Sequence, residues 1–206
     1  LSGTAFSRLS KQWNREYIVS RFGITIYQIN DLIGTLRPTV SSWFGYDVAL
    51  KEFNDYYENN TIPVSNNSYT NLYKDYNVIF VHMESMMSFL IDLKINDTVI
   101  TPNLNKLSQE SIYFTNFYPQ ISVGTSSDTE FTLTTSLMPA SNGTAFVTYY
   151  SREYVTIPKL LREKGYYTFS MHGNKASMWN RNKMHPSLGY MDFYSSTSYD
   201  IDQTVG

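Results

Sequence analysis

Cysteine is missing from all 206 residues. Disulfide frameworks, thiolate metal sites and iron–sulfur chemistry are therefore excluded, and any metal would be held by oxygen and imidazole. Charge is scarce as well. Only 17% of residues are Asp, Glu, Lys or Arg, the net charge is −2, and no Lys/Arg-rich run is present. Nucleic-acid binding has no electrostatic footing on such a chain. No stretch of 18 apolar residues occurs, so no segment reads as a membrane span, and no signal peptide stands at Leu1. What the chain has in quantity is aromatic: 18 Tyr and 12 Phe, with 42% apolar residues overall. Length and composition suit one domain with a real core, and the Ser, Thr, Asn and Tyr polarity suits a secreted or surface protein.

The first 74 residues read as a helical linker or arm. Tyr17, Ile18, Phe22, Ile26, Ile29, Leu32 and Ile33 form a helical stripe between Asn14 and Leu36, closed by Pro38. Val48 to Tyr57 reads as a second helix with Leu50 and Phe53 inward, and Glu58 to Lys74 as a polar loop. From residue 75 the pattern changes. Asn77 to Met83 is a short β-branched apolar run and reads as a buried strand, with His82 inside it as a core or supporting residue. A helix opens at Thr101-Pro102, with Thr101 as cap and proline at the first helical position. Ile112 to Tyr118 alternates like a strand. Thr129 to Leu137 reads as a helix stopped by Pro139, and Ile157 to Lys164 as one closed by Gly165. Tyr166 to Met171 reads as a strand ending at His172. Strands alternating with helices predict an α/β domain with helices covering a sheet.

Three places could carry chemistry. Glu84 directly follows the 77–83 run, at the carboxyl end where open α/β sheets bind ligands. An ordinary solvated loop residue would look the same. Gly124-Thr125-Ser126-Ser127-Asp128 is a small-residue turn entering a helix, where N–H groups and the dipole favour a phosphate. A Ser or Thr held there by a divalent cation would be an activated nucleophile. A capping box, Ser127 with Glu130, explains the same letters and is commoner. His172-Gly173-Asn174 lies at another strand end and leads to Trp179-Asn180-Arg181, where Arg181 could fork onto a phosphate and Trp179 could wall a pocket. His185 has no comparable setting.

At this point the residues resemble a known group. Thr101-Pro102-Asn103-Leu104-Asn105-Lys106-Leu107 with Tyr113 to Tyr118 resembles the alkaline phosphatase/sulfatase superfamily. Val81 to Ser85, Ser127 to Glu130 and His172 to Asn182 resemble the lipoteichoic acid synthases of Gram-positive bacteria. The likeness runs from Asn77 to Asp202, and Ser136 to Tyr154 resembles the subgroup that primes the polymer on a glycolipid. It implies a sulfatase-like α/β domain over 75–206, a mixed sheet flanked by helices on both faces, behind a helical linker over 1–74 that follows a membrane anchor on the extracellular face. It also implies that the chain covers only the first part of that domain, with the remainder of the metal ligands beyond Gly206 and supplied by the missing half, which could be a separate nicked chain.

The implied chemistry is a transfer of glycerophosphate from phosphatidylglycerol to a glycolipid or growing lipoteichoic acid chain at the membrane surface, through a covalent hydroxyl ester. Mn²⁺, or Mg²⁺ in its place, would be held by Glu84 and the nucleophile. His172, Trp179 and Arg181 would line the glycerophosphate pocket. The family places a threonine directly before Ser-Asp; that register falls on Ser126, and Thr125 stands one residue earlier. Ser126 is therefore ranked first and Thr125 second. A phosphoethanolamine transferase is the alternative enzyme, although such proteins often carry disulfides. A sulfatase would need a Cys/Ser-x-Pro-x-Arg motif, which is absent. A non-catalytic surface binding module is the alternative outside enzymes.

Overall fold

The computed structural model describes residue 9 and residues 14–41, 43–141, 143–200 and 202–203. Three helices come first: α1 (Arg15–Phe22), α2 (Ile24–Ser41) and α3 (Tyr46–Asn60). Asn14 caps α1 by accepting the Tyr17 N–H at 3.0 Å. The single helix expected over 14–36 is broken at Gly23, whose φ of +84° leaves the helical region at little cost because glycine lacks a Cβ. Beyond the break, α2 continues through Pro38 to Ser41 rather than stopping at the proline.

Only part of the expected stripe is buried. Ile18 and Phe22 pack with Leu9, Tyr17 and Tyr27, while Ile26, Ile29, Leu32 and Ile33 are exposed. Leu50 and Phe53, expected inward on α3, are exposed too. No helix among the described residues is long and apolar enough to cross a membrane.

Two expected strands are not formed. Residues 77–83 and 112–118 are irregular, and Ile79 and Val81 are 84% and 73% exposed. A strand exists only as a hydrogen-bonded ladder, and no described strand lies beside either run. His82 is exposed with its run instead of sitting in a core. The strands that do form are short. β1 (Lys94–Ile95) and β2 (Thr98–Val99) pair antiparallel across Asn96-Asp97. Both turn residues have positive φ, the conformation that tight hairpin turns require and Asn and Asp tolerate. The sequence reading had no strand there. β3 (Phe169–Met171) and β4 (Asp192–Tyr194) pair parallel, with Ser170 opposite Phe193.

The remaining helices are α4 (Pro102–Glu110), α5 (Ser126–Thr135), α6 (Ala145–Thr148), α7 (Ile157–Glu163) and α8 (Arg181–Ser187). Thr101 does not cap α4 with its side chain; its hydroxyl reaches back to the Leu90 carbonyl at 2.7 Å. Thr144 and Thr156 do cap α6 and α7. The main core gathers Phe131 of α5, Ala145 and Phe146 of α6, Trp179, and Met184 and Leu188 around α8. Each such side chain fully removed from water contributes roughly 1.5–3 kcal/mol. This core fastens α5, α6 and α8 together behind β3, which sets the position of the site.

Candidate functional site

Ser126 is the first residue of α5, and its hydroxyl donates to Glu84 Oε1 at 2.5 Å. The two residues are 42 positions apart in sequence. Glu84 is exposed, in a tight turn with Ser85 at φ +59°. It reaches Ser126 although the strand expected to present it is absent.

The turn entering α5 is shaped by buried groups. Asp128 Oδ2 accepts the N–H groups of Ser122 and Gly124, each at 2.9 Å. Asp128 is fully buried, and burial pushes its carboxyl above the usual range, partly offset by those two backbone bonds. Gly124 lies so close that an added Cβ would stand 2.2 Å from Asp128 Oδ1. Thr125 occupies the cap position at φ +47°, ψ −113°, makes no side-chain capping bond and is exposed. A β-branched residue at positive φ is strained, and strain of this kind gathers at functional turns.

The capping box is not built. Ser127 donates instead to the Gly124 carbonyl at 2.8 Å, and Glu130 turns inward. Its carboxylate takes Arg181 Nε at 3.1 Å to both oxygens and Arg181 Nη2 at 2.5 Å. His185 Nε2 meets Oε2 at 3.0 Å, and His185 Nδ1 meets Ser170 Oγ at 2.8 Å. Burial alone would raise the Glu130 carboxyl; hydrogen bonds and charges from His185 and Arg181 outweigh it and hold the pKa at about 2. His185, set aside from its sequence context, is therefore a buried partner in this network. The signal available was Glu130 in the first turn of a helix, which dipole complementarity explained too readily.

His172 follows β3, and its N–H donates to the Tyr194 carbonyl at 2.9 Å. Nδ1 accepts the Asn174 N–H at 3.0 Å. A neutral ring then carries its proton on Nε2, ready to donate to an oxyanion. Burial lowers the His172 pKa first; Arg181 and His185 push the same way, and Glu130 and Glu84 oppose. His172, Arg181, Glu130, His185 and Glu84 thus lie within one electrostatic neighbourhood. Trp179 is 7% exposed and belongs to the core, not to an open wall. Arg181 is 2% exposed, with Nε and Nη2 committed to Glu130 rather than free. Its Nη1 makes a long contact, 3.4 Å, to the Met178 carbonyl.

Glu84 and Ser126 offer two adjoining oxygen donors, a chemistry that suits a hard divalent cation. Among the described residues no group of three or more His, Asp or Glu side chains gathers as a metal site. Two donors begin a coordination shell and do not complete one.

Residues 76–205 match the sulfatase family. The chain is 34% identical over 197 residues to lipoteichoic acid synthase 2 of Bacillus subtilis, covering 95% of this chain and 30% of that one. It is 34% identical over 202 residues to lipoteichoic acid synthase 1 of the same organism, covering 96% and 32%. A lipoteichoic acid synthase of Staphylococcus aureus is 33% identical over 198 residues, covering 94% and 30%. Among solved structures, the lipoteichoic acid synthase LtaP of Listeria monocytogenes matches with a TM-score of 0.55 and 32% identity, over 57% of this chain and 29% of that one. The chain spans about a third of the length of the curated relatives it matches.

Proposed function

The chain belongs to the sulfatase family, on the lipoteichoic acid synthase side of it, and from that premise we propose that it carries the nucleophile half of a phosphoglycerol transferase site. The observation that carries the proposal is the 2.5 Å bond from Ser126 to Glu84 at the first turn of α5. Nothing in local structure requires a serine and a glutamate 42 residues apart to meet, and a helix N-terminus favours the anion that would arrive there.

Glu84 and Ser126 would hold Mn²⁺ or Mg²⁺, with the remaining ligands from the longer protein. When bound, the cation would lower the pKa of the hydroxyl and neutralise charge on the phosphoryl oxygens. Ser126 Oγ attacks the phosphorus of phosphatidylglycerol. The bond from phosphorus to the diacylglycerol oxygen breaks, and diacylglycerol leaves after taking up a proton. Glycerophosphate stays as an ester on Ser126 until a hydroxyl of a glycolipid or a lipoteichoic acid chain attacks it and regenerates the serine. The positive end of the α5 dipole favours the charge that builds on the phosphoryl oxygens. His172, with its proton on Nε2, donates to one of those oxygens, Arg181 uses Nη1, and Trp179 backs the pocket from the core. The setting is the extracellular face of the membrane, where the lipid donor is available, with the linker over 1–74 leading from an anchor.

One observation favours a second nucleophile. Thr125 is exposed, strained and free of any capping duty, so its hydroxyl is available for chemistry. The test uses the full-length protein, Mn²⁺ and a fluorescent phosphatidylglycerol. We expect Ser126→Ala and Glu84→Ala to lower diacylglycerol release by about 10²-fold or more, and Thr125→Ala by about tenfold at most. A dead Thr125→Ala beside an active Ser126→Ala moves the nucleophile to Thr125. Full release by Glu84→Ala removes Glu84 from the metal. Mass spectrometry of a trapped glycerophosphate ester reads the position directly.

A further inference from the structure

We propose that Glu130 is a positioning residue for the anion-binding groups of this site, acting through the Arg181 guanidinium. The inference rests on the reading of Arg181 as a glycerophosphate contact. Three elements each deliver one candidate site residue: Ser126 opens α5, Arg181 opens α8, and His172 follows β3. One carboxylate ties all three together. Glu130 lies on α5, four residues after Ser126. It grips Arg181 through Nε and Nη2, and through His185 it reaches Ser170, two residues before His172 on β3.

The geometry determines what the grip leaves free. Glu130 occupies the Nε and Nη2 edge of the guanidinium, which locks the plane of the fork and leaves Nη1, with its 3.4 Å contact to Met178, as the weakly engaged donor. Arg181 is 2% exposed. A guanidinium this deep would not stay without a paired carboxylate. Glu130 is ionised at any working pH, so it only accepts. His185 Nε2 must then donate to it, and His185 Nδ1 lies 2.8 Å from the Ser170 hydroxyl. The chain of four side chains holds a preorganised cation in surroundings that strengthen its pull on an anion.

The test is a double-mutant cycle on the full-length protein, with steady-state kinetics on fluorescent phosphatidylglycerol and thermal unfolding beside it. Arg181→Gln should raise KM about tenfold or more, and Glu130→Gln should raise it by a similar factor with kcat changed less than about threefold. The double variant should be no worse than Arg181→Gln, because Glu130 acts through the group already lost. If Arg181→Gln raises KM and Glu130→Gln folds with KM unchanged, the proposal is wrong and the site reading stands. If Arg181→Gln itself leaves KM unchanged, the reading of Arg181 falls and takes the proposal with it. A double variant that multiplies the two single effects assigns Glu130 an independent role and also overturns the proposal. Should Glu130→Gln not fold, Ser170→Ala trims the far end of the chain; a rise in KM of about two- to fivefold is expected, and none overturns the proposal.

Discussion

Glu130 shows how one side chain can decide between two readings of a helix start. Its spacing from Ser127 fits a capping box, but its carboxylate has gone to Arg181 and His185 instead. Two charged or polar donors in a buried setting outweigh one backbone N–H, because hydrogen bonds to ionised groups are the stronger kind, and the Ser127 N–H already donates to the Gly124 carbonyl at 3.0 Å. The consequence is a pH dependence. The folded pKa is depressed from 4.5 to about 2, so the stabilisation is complete above the unfolded value and is lost as pH falls from about 4.5 towards 2. Acid titration of the melting temperature should show this loss in the wild type and a flatter profile over the same window in Glu130→Gln.

The turn entering α5 is the element on which the site depends. It combines a strained Thr125, a buried Asp128 that collects two N–H groups, and a glycine with no room for a side chain. Gly124→Ala must push Asp128 aside, and Asp128 in turn holds the backbone of Ser122 and Gly124. We expect a loss of about 1–3 kcal/mol, as for other overpacked positions, measurable by denaturant unfolding. Diacylglycerol release should fall with it, since Thr125 and Ser126 follow directly. A Gly124→Ala protein with unchanged stability would mean that the turn relaxes at no cost. The arm is tied to the neighbouring segment as well. Arg15 of α1 donates to Asn180 at 3.2 Å, and Asn180 donates onward to the Phe146 carbonyl at 2.9 Å. The Glu16–Lys175 pair beside it is exposed and contributes little.

At the scale of the molecule, the surface is the dominant feature. The accessible area is 15678 Å² for 23.8 kDa, against roughly 9,900 Å² for a compact chain of that mass. Apolar side chains stand open to solvent where strands were expected: Ile79, Val81, Phe114, Phe117 and Tyr118 are all strongly exposed. Such runs, with unpaired backbone beside them, call for covering strands and helices. The isolated 206-residue chain should bind a hydrophobic dye strongly and associate at micromolar concentration. A monomeric, dye-silent isolated chain would show that these runs find cover within the 206 residues.

Much of this was legible in the sequence for local reasons. Helices α4, α5 and α7 follow from proline, threonine and apolar spacing over a single turn or two, and those signals act within a few residues. The candidacy of Glu84 and Ser126 came from the likeness of short motifs, in which register alone separated Ser126 from Thr125. Other things depended on contacts that spacing does not encode. Whether 77–83 is a strand rests on neighbours to pair with, and an apolar run alone does not supply them. The commitment of Arg181 to Glu130, and the recruitment of His185, needed α5, α8 and β3 to be packed side by side. Local sequence determined which segments could turn, coil and carry reactive groups; only tertiary structure decided which of those groups meet, because burial makes an unpaired charge costly and so selects its partner across the fold.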